Sequence, residues 1–227
     1  MRKYAVILAG GAGTRAGGEM PKQFHELLGI PMLWWSVRAF HRADPGTGIV
    51  IVMHPGFWDD WDIIYRSLPD DDRRIPLILK SGGRSRTESV QNGIMGLPDD
   101  PDTLIAVHDA ARPMITPEMV NRIWDCAASH GSAVPCVEEV NSLRRKDGDD
   151  TFPVDRSGYL VVQTPQTFRA DILHKAYARR QDSIFTDDAS LVQQAGFPVR
   201  ICGGIPENIK VTTPVDFRIA EALLESD

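Results

Sequence analysis

LAGGAGTRAGGEMPKQF, running from Leu8 to Phe24, follows the apolar run Tyr4–Leu8 near the N-terminus. A buried strand that empties into a glycine-rich turn is the usual opening of a nucleotide-binding α/β domain, because glycine lets backbone N–H groups approach phosphate closely. The spacing then separates the possible loops. A G-x-x-x-x-G-K-[ST] loop needs Lys-Ser or Lys-Thr after its glycines, and none follows here. A dinucleotide loop needs G-x-G-x-x-G, but after Gly11-x-Gly13 the third glycine comes one residue late, at Gly17. No acidic residue closes the second strand either, since Ile49–Met53 runs into His54-Pro55. A nucleotidyltransferase loop accounts for the cations. Charge builds on the phosphate oxygens and the departing pyrophosphate, so fixed cations beside them lower the barrier. Arg15 offers a planar fork of donors and Lys22, behind the stiff Pro21, a compact point charge. The plainer alternative is a glycine turn with two solvated charges, and the Pro-Lys-Gln continuation narrows it.

Further along, Ile49–Met53, Leu77–Leu79, Leu104–Val107 and Ala133–Val137 are short apolar runs without polar alternation. Such runs are typical of parallel strands covered by helices on both faces. Between them lie helical patterns. Leu33, Val37 and Phe40 share one face behind Pro31, and Val120, Ile123, Trp124 and Ala127 share another behind Pro117. The last helix starts at Thr213-Pro214, with Thr213 as N-cap and Asp216 in its first turn, and is expected to bury Phe217, Ala220 and Leu224. The alternation predicts a three-layer, Rossmann-like α/β fold with a mainly parallel sheet. One stretch breaks the rhythm: Glu138–Gly158, EEVNSLRRKDGDDTFPVDRSG, is polar and carries a hairpin signal at Asp147-Gly148. It reads either as a projecting β-arm or as a surface insertion.

Composition sets the outer bounds. The chain has 227 residues, 42% of them hydrophobic, enough for a full core. A net charge of −6 gives no general basic face for nucleic acid. Cys126, Cys136 and Cys202 are odd in number and widely spaced, which fits reduced chemistry rather than a disulfide framework or a zinc site. The apolar runs are strand-sized, far below the ~20 residues of a membrane span. Met1-Arg-Lys begins like a signal peptide, but Gly10-Gly11 interrupts it. The expectation is a cytoplasmic protein with no membrane partner.

In LIAVHDAARP, Asp109 ends a buried strand at the edge where open α/β sheets place ligands. A carboxylate there can hold Mg²⁺ or cap the next turn. His108 beside it reads as structural. GGRSRTESV, Gly82–Val90, is a basic turn leading into a helix, an arrangement that opposes the helix dipole.

The motifs GGRSRTESVQNG (Gly82–Gly93), HDAARP (His108–Pro113), VDRSG (Val154–Gly158), TPQTF (Thr164–Phe168), TDDAS (Thr186–Ser190) and NIKVTTP (Asn208–Pro214) follow the opening loop in order. Together they resemble the cytidylyltransferases that activate sugar-alcohol phosphates, and among them the 2-C-methyl-D-erythritol 4-phosphate family. The likeness covers essentially the whole chain. It implies one domain over residues 1–227, with residues 138–160 as an arm that joins a homodimer. It also implies CTP as co-substrate with Mg²⁺ or another divalent cation. On this resemblance Ala9, Gly10, Gly11, Ala12, Gly13, Gly83, Arg84 and Ser89 hold CTP. Arg15 and Lys22 are catalytic, and Asp109 holds the metal. Arg112, Ser142, Arg156 and Lys210 position the acceptor, Arg156 reaching it from the neighbouring subunit. Arg86 occupies the family's arginine, whereas Arg144, Arg145 and Lys146 are expected to be solvated.

Two departures stand out. Many relatives carry Asp where this chain has Arg84, and Asn141-Ser142 stands where Asp-Thr is usual. The alternatives are a D-ribitol-5-phosphate cytidylyltransferase, which shares the LAGG opening, and a CTP-binding module without catalysis. The order Pro153-Val-Asp-Arg156 matches the methylerythritol group rather than the ribitol group.

Overall fold

The computed structural model describes residues 1–10, 21–179 and 185–225. From the N-terminus the elements run β1 (Arg2–Leu8), β2 (Glu26–Leu27), β3 (Ile30–Pro31), α1 (Met32–Ala43), β4 (Gly48–Met53), α2 (Trp58–Ser67), α3 (Asp70–Arg73) and β5 (Leu77–Ser81). Next come α4 (Arg86–Ile94), β6 (Thr103–Asp109), α5 (Pro117–His130), β7 (Ser132–Glu138), β8 (Leu143–Asp147), β9 (Asp150–Val154), β10 (Leu160–Val162) and β11 (Gln166–Arg169). α6 (Ala170–Ala178), α7 (Asp188–Gln194), β12 (Ile201–Gly203) and α8 (Pro214–Leu224) follow.

Among the described residues, eight strands form one sheet in the order β10-β7-β11-β6-β1-β4-β5, with β12 added on β7. β6, β1, β4 and β5 are mutually parallel, as expected of unbroken apolar runs. β11 enters antiparallel between β6 and β7. Alternate side chains separate two cores. Ala5, Ile7, Ile49 and Ile51 pack with Trp34, Phe40, Ile123 and Trp124 of α1 and α5, while Val6, Val50, Val52 and Val107 pack with α4, α6 and α7. These are the three predicted layers. α4 lies so close to the sheet that a Cβ on Gly93 would meet Val6 at 2.5 Å, so only glycine fits there.

Local signals set the helix ends. Thr116 accepts from the Met119 N–H at 3.2 Å to start α5, which stops at Gly131 in a left-handed conformation (φ 81). Thr213 and Asp216 form a reciprocal capping box on α8. Two burial expectations need correction. Leu77–Leu79 is not covered on both faces, because β5 is an edge strand and Ile78 is 48% exposed. On α8 Ala220 is fully buried, but Phe217 and Leu224 are only partly so.

The polar stretch forms a hairpin. β8 and β9 pair antiparallel around Gly148, whose φ of 61 suits the tight turn. Leu160 pairs with Glu138, so the chain leaves the sheet at Glu138 and rejoins it directly opposite. Arg144 and Arg145 are not merely solvated. Arg144 donates across the hairpin to the Thr151 hydroxyl (2.8 Å) and carbonyl (2.9 Å), and Arg145 lies over the Phe152 ring.

Candidate active site

The register of the sheet decides where chemistry can occur. Leu8 is level with Val52 on one side and Asp109 on the other, so β1, β4 and β6 end together. From β1 the chain builds outward through β4 and β5, then crosses back to β6 on the other side of β1. The gap at such a reversal is where open α/β sheets bind ligands. A cleft of about 310 Å³ lies there, lined by Gly10, Lys22, Arg86, Ser89, Asp109 and Lys210 among others. Backbone bonds fix its floor: the Ala9 N–H donates to Val52 O (2.7 Å) and the Ala110 N–H to Leu8 O (3.1 Å). Gln23 Nε2 donates to Ala9 O at 2.5 Å, tying the far end of the opening loop to the strand it left.

Charges of both signs meet at Asp109, whose side chain is 13% exposed. Lys210 Nζ lies 2.7 Å from Oδ2, and Arg86 Nε 3.3 Å from Oδ1. Burial alone would raise the Asp109 pKa, but Arg86 and Lys210 outweigh it and hold the carboxyl well below the usual range. The Asp109 N–H donates to the Thr164 hydroxyl (3.1 Å), which also contacts His108 Nδ1 (3.1 Å). His108 is fully buried, and burial pushes its pKa down to about 4. It therefore stays neutral and braces the site from below, the structural role expected of it.

This donor set bears on a divalent cation. Among the described residues no three His, Cys, Asp or Glu side chains are grouped to hold a metal. Among the described lining residues Asp109 is the single carboxylate, already shared by two cations. That fits a Mg²⁺ arriving on a triphosphate, whose remaining ligands are phosphate oxygens and water. It does not fit a metal held by protein alone.

Ser89 organises the second glycine turn. Its hydroxyl accepts from the Gly83 N–H (3.0 Å) and donates to Ser85 O (2.9 Å). The Arg84 side chain is 96% exposed and points to solvent, while the Arg84 backbone N–H donates to the Glu88 carboxylate (2.9 Å). Lys22 Nζ donates to Val211 O at 2.8 Å, which joins the opening loop to the segment carrying Lys210. Gly11, Ala12, Gly13 and Arg15 lie outside the described residues.

The other acceptor residues are elsewhere. Arg112 is not in the cleft lining. Its guanidinium donates to Asn208 O (2.8 Å) and Val162 O (3.3 Å), and so positions the chain leading to Lys210. Arg156 donates to Val140 O and lines a separate hollow of about 400 Å³ at the foot of the hairpin. Ser142 is exposed beside the hairpin and lines neither hollow.

Three residues beneath the site carry roles that the sequence does not announce. Asn208 Nδ2 donates to Thr164 O (2.9 Å). Gln163 Nε2 donates to Ile205 O (2.7 Å). Asp188 meets Arg86 from behind, 2.8 Å from Nη2. Asn208 and Asp188 stand in motifs readable in the sequence, NIKVTTP and TDDAS, and Gln163 directly precedes TPQTF. Nothing in the motifs says which partner each side chain meets.

The chain matches the family model described as IspD, 2-C-methyl-D-erythritol 4-phosphate cytidylyltransferase, over residues 4–226. It is 39% identical to the 2-C-methyl-D-erythritol 4-phosphate cytidylyltransferase of Porphyromonas gingivalis, covering 99% of each chain. It is 37% identical to that of Bacteroides thetaiotaomicron, covering 99% of this chain and 100% of the relative. The crystal structure of the Thermus thermophilus enzyme of the same name superposes with a TM-score of 0.79 at 30% identity, covering 99% of this chain and 100% of the other.

Proposed function

The chain belongs to the 2-C-methyl-D-erythritol 4-phosphate cytidylyltransferase family, and from that membership and the charges of the cleft we propose how it works. It is a CTP-dependent enzyme that transfers CMP to 2-C-methyl-D-erythritol 4-phosphate, giving 4-diphosphocytidyl-2-C-methyl-D-erythritol and pyrophosphate for isoprenoid precursor synthesis. The carrying observation is the meeting of Lys22, Arg86, Ser89, Asp109 and Lys210 in one cleft where the strand order reverses.

CTP lies along the two glycine turns, Ala9–Gly13 and Gly83–Ser89, with its phosphates toward Lys22 and Arg15. The acceptor's phosphate oxygen attacks the α-phosphorus in line, and pyrophosphate departs. The acceptor is already an anion, so no protein nucleophile is needed and catalysis is chiefly positioning and charge stabilisation. Lys22 and Arg15 stabilise charge on the five-coordinate phosphorus. Lys210, held in place beside Asp109, meets the acceptor's phosphate and offsets its repulsion from CTP. Asp109 would hold a triphosphate-borne Mg²⁺, which when bound neutralises phosphate charge.

Arg156 and Ser142 serve the acceptor in trans, from the arm of a second copy. In support, the Arg156 hollow, lined in part by Val140, Tyr159 and Leu160, is separate from the cleft, and the edge strand β10 leaves Leu160, Val161 and Val162 38–48% exposed. Such a row of apolar side chains on an edge strand calls for a partner. Arg112 acts at one remove, through the segment bearing Lys210. A cytoplasmic setting is supported by the three free thiols. Among the described residues no helix is long and apolar enough to cross a membrane.

Pyrophosphate release from CTP and Mg²⁺, measured with 2-C-methyl-D-erythritol 4-phosphate and separately with D-ribitol 5-phosphate, tests the reading. Faster release with the first acceptor is the expected result. Faster release with the second would reassign the acceptor, and CTP binding without release from either would leave only a nucleotide-binding module.

A further inference from the structure

Arg86 stands at the first position of α4, where a cation opposes the helix dipole. Two carboxylates offset it, and they hold it unequally. Asp188, with no side-chain exposure, sits 2.8 Å from Nη2, whereas Asp109 sits 3.3 Å from Nε alone. A guanidinium left to itself takes a carboxylate with two parallel N–H donors. Here one arm of the fork is turned away. Asp188 is itself fixed: the Tyr177 hydroxyl donates to Oδ1 at 2.6 Å. Gln166 then anchors the start of α7, accepting from the Ala189 N–H (2.8 Å) and donating to Asp187 (3.0 Å).

We propose that Asp188, held by Tyr177, is a positioning residue that restrains Arg86 and so keeps it from closing as a two-armed fork on Asp109. The inference rests on the cytidylyltransferase reading of the cleft. Asp109 Oδ1 receives only one long contact from Arg86, while Oδ2 is bound by Lys210 at 2.7 Å. Without Asp188 the guanidinium swings toward the cleft, takes both oxygens of Asp109 and displaces Lys210. The acceptor then loses its cation and the site its working carboxylate. CTP, held along the glycine turns, is affected little.

A double-substitution cycle tests this. Asp188→Asn keeps the shape of the side chain and the Tyr177 contact but removes the charge that holds Arg86. It should lower kcat about 10- to 100-fold, as expected for a misplaced catalytic group, with the KM for CTP changed less than about twofold. Arg86→Lys carries a point charge that cannot fork. Adding Asp188→Asn to Arg86→Lys should therefore cost less than about a further twofold, because the two residues act as one unit. Losses that multiply, or a folded Asp188→Asn protein with normal kcat, would overturn the proposal. Tyr177→Phe should show the same pattern at smaller size, and it decides the matter if Asp188→Asn fails to fold. Failure of the activity reading is distinguishable, since it appears as a wild-type protein that releases no pyrophosphate. Crystal structures of the wild type and either variant then carry the test: Arg86 bonded through two nitrogens to Asp109 only in the variant supports the proposal, and an unchanged Arg86 contradicts it.

Discussion

The cleft and the hairpin use the same residue types under opposite physical conditions. In the cleft Arg86 is 26% exposed and lies between Asp109 and Asp188, while Lys210 takes the remaining oxygen of Asp109. Arg86, Asp109 and Lys210 each pair with a residue from a distant part of the chain, and sheet register places Asp109 among them. On the hairpin Arg144, Arg145 and Arg156 are exposed and bind near neighbours: a threonine, an aromatic ring and a backbone carbonyl. Charges removed from water interact strongly and hold fixed positions, whereas exposed ones are screened and add little to stability. The cleft is thus built by folding, whereas the hairpin's arginines stay in water in the single chain.

The largest expected effect lies on the cleft side. Lys22→Ala should lower turnover by about 10²- to 10³-fold, the usual cost of losing one donor aimed at transition-state charge, with the melting temperature nearly unchanged. Near-normal turnover would remove Lys22 from the chemistry and break the contrast. Next comes the buried floor. His108 has a folded pKa of about 4 against an ordinary 6.5, so between these values the unfolded chain binds more protons. Stability from this group is intact above about pH 6.5 and should fall by up to about 1.4 kcal/mol per pH unit down to about pH 4. Urea unfolding at several pH values reads that slope, and His108→Gln should flatten it. The smallest effect belongs to the hairpin, where Arg144→Ala should change the unfolding free energy of the free chain by less than about 1 kcal/mol. A larger loss would mean that the hairpin's charges already support the fold.

Legibility in the sequence followed the same division. β1, β4, β6 and β7 were visible because strands covered on both faces read as unbroken apolar runs, and caps such as Thr213 announced themselves. The hairpin was visible from Asp147-Gly148. β10 and β12 were not, being three residues each, nor was the antiparallel insertion of β11, which local sequence does not encode. Lys22, Asp109 and Lys210 could be named and do share the cleft. Arg112 could be named too, but folding turns it onto two carbonyls behind the site. Asp188 sat in plain view in TDDAS, yet its partner depends on how α7 packs against the start of α4. Pairing across that distance is a property of the tertiary structure.

If a cleft from one chain and an arm from another make one site, as proposed, mixed dimers report it most directly. Lys22→Ala and Arg156→Ala proteins should each be nearly inactive alone. Co-expressed, half of the dimers pair the two variants, and each such dimer holds one site with both residues intact. Pyrophosphate release should then recover to about a quarter of the wild-type value. No recovery from verified mixed dimers would contradict the account and put Lys22 and Arg156 at the same site of a single chain.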